Sequence, residues 1–113
     1  MERQRFMYVR DVRRNPVGCI AICLPEKSGT KAEYGISVAH LGMDKFDREF
    51  GKNEAKRRLE SSPVAVEVPA GAKMHAISLA VISHIRYNKL APTRARDFAR
   101  RWLNRIAKMK AAN

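Results

Sequence analysis

The stretch TRARDFARRWLNRIAKMK, residues 93–110, has the residue types best suited to binding a polyanion. It carries five arginines and two lysines against one aspartate. A guanidinium group is a planar fork that donates paired hydrogen bonds to phosphate, which makes arginine typical of phosphate recognition. On a helical wheel the basic and apolar residues occupy different faces. The pattern predicts a helix that docks by one face and offers the other to a partner.

The predicted docking stripe of this helix consists of Ala95, Phe98, Trp102, Ile106 and Met109. The candidate phosphate-binding side chains are Arg94, Arg96, Arg100, Arg101, Arg105 and Lys108. Four of them form a ridge along one flank of the stripe, whereas Arg96 and Arg100 lie toward the other flank. The alternative is that these side chains are only the solvated face of an ordinary last helix.

A second candidate surface lies in RFMYVRDVRR, residues 5–14. Its candidate binding residues are Tyr8, Arg10, Arg13 and Arg14. On an open sheet face, aromatic rings can stack unpaired bases while arginines neutralise phosphates. Alternatively, Phe6 and Tyr8 face the helices and belong to the core. The sequence leaves both interpretations open.

The chain has a net charge of +12 and an isoelectric point near 10.4. Its basic residues are unevenly distributed along the sequence. Residues 86–110 hold nine basic residues and one aspartate, and residues 1–14 hold five arginines and two acidic residues. A basic excess concentrated in this way is typical of proteins with a polyanionic partner.

Catalytic and metal-binding motifs are weak in this chain. His40, His75 and His84 lack the spacing of zinc ligands. Asp44, Asp47 and Glu49 could bind magnesium in a nuclease, but a predicted helix start explains their position, because carboxylates favour a helix N-terminus. We therefore expect a non-enzymatic protein without a cofactor or metal.

The hydrophobic periodicity predicts one α+β domain over residues 1–113. Its elements are a three-stranded antiparallel meander, a helix, a short edge strand between Pro63 and Pro69, and two C-terminal helices packed on one sheet face. Asp44 is the expected N-cap of the first helix, with Phe46 and Phe50 on one side of it. Thr93 is the expected cap of the last helix.

The start of the chain, MERQRFMYVR, lacks the apolar segment of a signal peptide, which predicts a cytosolic protein without a membrane association. Cys19 and Cys23 fit that compartment. They lie four residues apart in a predicted strand, about 13 Å along it. Because that separation is too long for a disulfide, we expect two reduced core thiols.

Three segments, YVRDVRRNPVGCIAI, YGISV and DKFDREFGKNEAKRRLE, resemble a family of small, mostly uncharacterised proteins of tailed bacteriophages. The resemblance covers about residues 8–60 and transfers no catalytic or binding residue. It implies a phage origin, a bacterial host cytoplasm, and a role at nucleic acid or at a host protein that controls it.

These observations predict a nucleic-acid-binding protein that contacts DNA or RNA mainly through phosphates, with single strands slightly favoured over duplexes. The alternative is a phage effector that binds and modulates an acidic host protein. A helix-turn-helix formed by the last two helices is a weaker possibility, because their connection lacks the usual turn signals. A homodimer through Gly51 and Ala55, or through the predicted edge strand, also stays open.

Overall fold

The central strand of the sheet carries apolar residues on both of its faces. The computed structural model describes residues 3–39 and 46–111. An antiparallel meander opens the chain and comprises β1 (Gln4–Arg10), β2 (Pro16–Cys23) and β3 (Lys31–Val38). The middle strand, β2, is buried over most of its length. This confirms the predicted meander and its central strand.

A short fourth strand, β4 (Val64–Glu67), pairs antiparallel with β3. Within the described residues the strand order is β1-β2-β3-β4, so β1 and β4 lie at the two edges. This confirms the edge position predicted for β4. The prolines on either side of the strand are consistent with it, since proline cannot donate to a strand ladder.

The two C-terminal helices, α2 (Met74–Tyr87) and α3 (Thr93–Ala111), pack against one face of the sheet, as predicted. The largest fully buried side chains between them and the sheet are Tyr34, Ile20, Ile22, Ile82 and Ile85. Burying one such isoleucine contributes about 1.5–3 kcal/mol. This face therefore holds the main core of the protein.

The remaining helix, α1 (Arg48–Ser61), packs against the opposite face, on β2 and β3. The sheet residues beneath it are small, and Gly35 is the critical one. A Cβ on Gly35 would lie 2.7 Å from the carbonyl oxygen of Ala55 and would also clash with the backbone nitrogen of Leu59. The helix backbone thus approaches the strand as closely as glycine permits.

The start of α1 differs from the prediction. The N-cap is Asp47, whose carboxylate accepts a hydrogen bond from the backbone N–H of Phe50 (3.0 Å). Phe46 precedes the helix and packs its ring on Gly51, whereas Phe50 is 63% exposed. The expectation that the two rings pack on one side of the helix is therefore wrong. Asp44 lies outside the described residues.

Helix α3 begins one residue earlier than predicted. Thr93 is its first helical residue, and the carbonyl of Pro92 accepts the hydrogen bond from the backbone N–H of Arg96 (3.0 Å). The predicted apolar stripe anchors the N-terminal half of α3, where Ala95 and Phe98 are buried. Toward the C-terminus the stripe becomes exposed, and Met109 is 59% accessible.

Several smaller expectations concern the sheet and the chain as a whole. Cys19 is buried and Cys23 half-buried, and no disulfide joins them. Gly51 and Ala55 are buried inside the chain, so this strip offers no surface to a second copy. Across residues 3–39 and 46–111, none of the helices has the length and apolar character needed to cross a bilayer.

Candidate nucleic-acid interface

The turn between β1 and β2 is built around Asp11. Its carboxylate accepts hydrogen bonds from the backbone N–H groups of Arg13 and Asn15, both at 2.9 Å. Arg14 adopts a left-handed conformation (φ 67°), and its carbonyl accepts a hydrogen bond from the guanidinium of Arg10 (2.9 Å). An aspartate that accepts from the backbone in this way fixes a turn locally. The turn thus has a defined shape.

Helix α3 meets this turn through an arginine. The guanidinium of Arg101 donates a hydrogen bond to the backbone carbonyl of Arg10 (2.6 Å), at the end of β1. Beside this contact lies a cavity of about 280 Å³, lined by Arg10, Asp11, Arg14, Phe98, Arg101 and Arg105. We call the four arginines of this lining the arginine cluster. Two come from the strand and its turn, and two from the helix.

The charge of the arginine cluster is left largely uncompensated. Asp11 is the one acidic residue among those that line the cavity, against four arginines. In the part of the chain that the structure describes, the single ion pair joins Arg57 to Glu54 (2.9 Å), on α1. The cluster therefore keeps its capacity to attract an anion.

The other basic residues predicted on α3 lie outside the cavity. The guanidinium of Arg94 donates to the carbonyl of Ala39 (3.0 Å), and that of Arg96 donates to the hydroxyl of Thr93 (3.3 Å). Both side chains are half-buried. Arg100 and Lys108 are exposed. Arg94 therefore ties α3 to the end of β3, the contact of Arg96 lies within α3, and Arg100 and Lys108 face solvent.

The aromatic residues of β1 do not form an open stacking surface. Phe6 and Tyr8 are half-buried on the side of the sheet that α1 covers. The Tyr8 ring meets that of Phe46 edge to face (centroids 6.4 Å apart). Between the two interpretations of the sequence, the structure supports the one in which these rings face a helix.

Cations lie over these rings. The guanidinium carbons of Arg10 and Arg48 are 5.9 and 5.4 Å from the centre of the Tyr8 ring. The ammonium nitrogen of Lys52 is 4.5 Å from the centre of the Phe6 ring. These are cation–π distances. Two basic side chains thus lie against the Tyr8 ring, and one of them, Arg10, also belongs to the arginine cluster.

The tip of the β1–β2 turn is open to solvent. Arg13 is exposed there, next to Val12, which is 77% exposed. Arg13 thus adds a further positive charge to the turn that carries Arg14. Its backbone is fixed by Asp11, whereas its side chain is available to a partner.

The histidines and carboxylates considered as metal ligands are found in other roles or lie outside the description. His40 and Asp44 are not among the described residues. Among those that are, no three histidine, cysteine, aspartate or glutamate side chains are grouped as metal ligands. Asp47 caps α1, and the Nδ1 atom of His84 is 2.9 Å from the Tyr34 hydroxyl.

The Tyr34 hydroxyl also accepts a hydrogen bond from the side-chain amide of Asn88 (3.1 Å). The side chains of Tyr34, His84 and Asn88 thus form one hydrogen-bonded network. Burial raises the pKa of Tyr34, while the hydrogen bond from Asn88 opposes that shift. This network joins β3 to the end of α2 and has a structural role.

Two basic residues next to the site, Arg48 and Lys52, were not singled out from the sequence. Their spacing of four residues on a helix was a usable signal, because it places both side chains on one face. What the sequence did not reveal was that this face lies beside Phe6 and Tyr8.

Comparison with known proteins adds no relative to this description: no family model, curated protein or solved structure matches the chain. The resemblance to tailed-phage proteins thus stays a prediction.

Proposed function

We propose that this protein is a non-enzymatic nucleic-acid-binding protein that contacts DNA or RNA through the arginine cluster. The observation that carries the proposal is the convergence of Arg10 and Arg14 with Arg101 and Arg105 around one cavity. Residues far apart in the chain bring four guanidinium groups together with one carboxylate. Guanidinium groups are the side chains best matched to phosphate oxygens.

The site supports phosphate contacts more than base recognition. Arginines on a turn and on the flank of a helix can follow a phosphate backbone, and such contacts carry no sequence information. Arg13, Arg100 and Lys108 are exposed and add to the attraction at longer range. Binding is therefore largely independent of sequence and falls steeply with salt.

The biological setting of the proposal comes from the resemblance of residues 8–60 to tailed-phage proteins. The protein acts in a bacterial cytoplasm, on phage or host nucleic acid. A basic protein in that setting meets polyanions at high concentration, and its charge favours rapid association with them.

The proposal is tested by fluorescence anisotropy of labelled DNA and RNA oligonucleotides at ~50 mM salt. The matched comparison is between Arg14→Asn/Arg105→Gln and Lys27→Gln/Lys31→Gln. Asparagine is chosen at position 14 because it tolerates the left-handed conformation found there. Both double variants lose two positive charges, and the two lysines are exposed around the β2–β3 loop, away from the cluster.

We expect the wild-type protein and the lysine variant to bind and the arginine variant to bind at least about tenfold more weakly, since two charged hydrogen bonds are lost. A wild-type protein that binds no oligonucleotide contradicts the proposal and leaves an acidic host protein as the partner to seek. Equal weakening by both variants contradicts the assignment to the cluster.

A further inference from the structure

The side of β1 that faces α1 carries a second group of cations. Lys52 lies over the Phe6 ring and Arg48 over the Tyr8 ring. The two rings are next-but-one neighbours along β1, on the same face of the strand, and both are half-buried. The group thus forms a short row of positive charge parallel to the edge of the sheet.

Helix stability does not explain this row. Arg48 is the first residue of α1, where the positive end of the helix dipole disfavours a cation. The nearby carboxylate of Asp47 accepts the capping hydrogen bond from the backbone of Phe50. Arg48 and Lys52 are both exposed, and neither belongs to the ion pair on this helix. Both charges are therefore available to a partner.

Arg10 connects this row to the arginine cluster. Its guanidinium lies beside the Tyr8 ring, as that of Arg48 does, and it also lines the cavity with Arg101 and Arg105. Helices α1 and α3 cover opposite faces of the sheet, and β1 is an edge strand. The positive charges therefore extend from one face of the sheet to the other around the β1 edge. We call the six residues Lys52, Arg48, Arg10, Arg14, Arg101 and Arg105 the basic band.

We propose that the basic band binds one single strand of nucleic acid that passes around the β1 edge, from α1 to α3, and that Arg48 and Lys52 contact its phosphates. This inference rests on the proposed function and specifies its ligand. A flexible single strand can follow a turning path, whereas duplex DNA has a persistence length of about 150 base pairs and stays straight on this scale.

A duplex also cannot contact the cations on the α1 side and those on the α3 side together by taking the β1 edge of the sheet into one of its grooves. The band spans two helix layers with the sheet between them, and each helix is about 10 Å across. The major groove is about 12 Å wide, too narrow to admit that thickness. A duplex can therefore reach the α1 side or the α3 side, but not both together.

The test compares binding of three probes of about 20 nucleotides, oligo(dT), oligo(rU) and a mixed-sequence DNA duplex, across a salt series. The variants are Arg48→Gln/Lys52→Gln and the control Lys27→Gln/Lys31→Gln. We expect the first variant to bind the single strands about tenfold more weakly than the control does. Its log–log salt slope for single strands should be smaller by about 1.4, because each lost phosphate contact lowers it by about 0.7. Duplex binding should be less affected by this variant.

The outcomes separate the inference from the proposed function. If Arg14→Asn/Arg105→Gln weakens binding but Arg48→Gln/Lys52→Gln matches the control, the proposed binding along the basic band is contradicted. The proposed nucleic-acid-binding function is then still supported. A duplex that binds as tightly as the single strands, with equal sensitivity to Arg48 and Lys52, also overturns the inference. If no probe binds the wild-type protein, both proposals fail. Thermal midpoints of all variants establish that each one is folded.

Discussion

The guanidinium of Arg101 on α3 donates a 2.6 Å hydrogen bond to the backbone carbonyl of Arg10 at the end of β1. This contact joins the most basic helix of the protein to the most basic turn. It also holds two positively charged residues close together, against their mutual repulsion. Arg101 thus contributes both to the fold and to the candidate site.

The two arginines of α3 in the cluster therefore differ in their expected effects. Arg101→Gln removes the hydrogen bond to the Arg10 carbonyl and lowers the free energy of unfolding by about 1 kcal/mol. Arg105→Gln leaves stability unchanged, because Arg105 is exposed. Both weaken oligonucleotide binding. Chemical denaturation and anisotropy measured on the same samples check the pair, and equal stability of the two variants would contradict the role given to Arg101.

Gly35 is expected to be the least replaceable glycine of the sheet. Gly35→Ala places a Cβ against the backbone of α1 and lowers the free energy of unfolding by about 3 kcal/mol, in the range of overpacked cores. The control is Gly71→Ala, where the Cβ meets open space but φ is +72°. There the backbone conformation alone costs about 1 kcal/mol. Urea denaturation compares them, and similar losses would show that the close approach of α1 is overstated.

The buried thiol of Cys19 predicts a loss of stability at alkaline pH. Burial raises its pKa to about 11, against the partly offsetting effect of the positive charge of Lys52. Since the folded state holds the proton more tightly than the unfolded state, its stability is complete below pH 9 and falls as the pH rises toward 11. The loss is about 2 kcal/mol.

The measurement is denaturation of the wild-type protein and Cys19→Ala at several pH values between 8 and 11. The alanine variant is less stable at neutral pH because it leaves a small cavity, but its stability changes less across this window. Parallel curves for the two proteins would show that Cys19 does not control this pH dependence.

The sequence was sufficient to predict the strand meander and the two C-terminal helices, because their hydrophobic periods are strong. The prolines at positions 63 and 69 correctly indicated the edge strand between them. Local signals were less reliable at helix ends, where Asp47 rather than Asp44 supplies the cap. Either aspartate satisfies the chemistry of an N-cap, and tertiary packing of Phe46 on Gly51 accompanies the later start.

The candidate site was predictable in composition but not in arrangement. Charge counting identified both the turn at residues 10–14 and the ridge on α3. It did not reveal that Arg94 would be directed to a backbone carbonyl while Arg105 lines a cavity. Such differences depend on where α3 crosses the sheet, and no local pattern encodes that crossing. The same limit explains why Arg48 and Lys52 were overlooked.

The most direct test of the central claim is an amide NMR titration of the ¹⁵N-labelled protein with a short oligonucleotide. We predict that the largest shifts occur in the turn at residues 10–14 and in α3 from Phe98 to Arg105, with smaller changes in the β2–β3 loop at residues 24–30. Shifts concentrated in that loop, or around Tyr87 and Leu90 at the end of α2, would contradict the account.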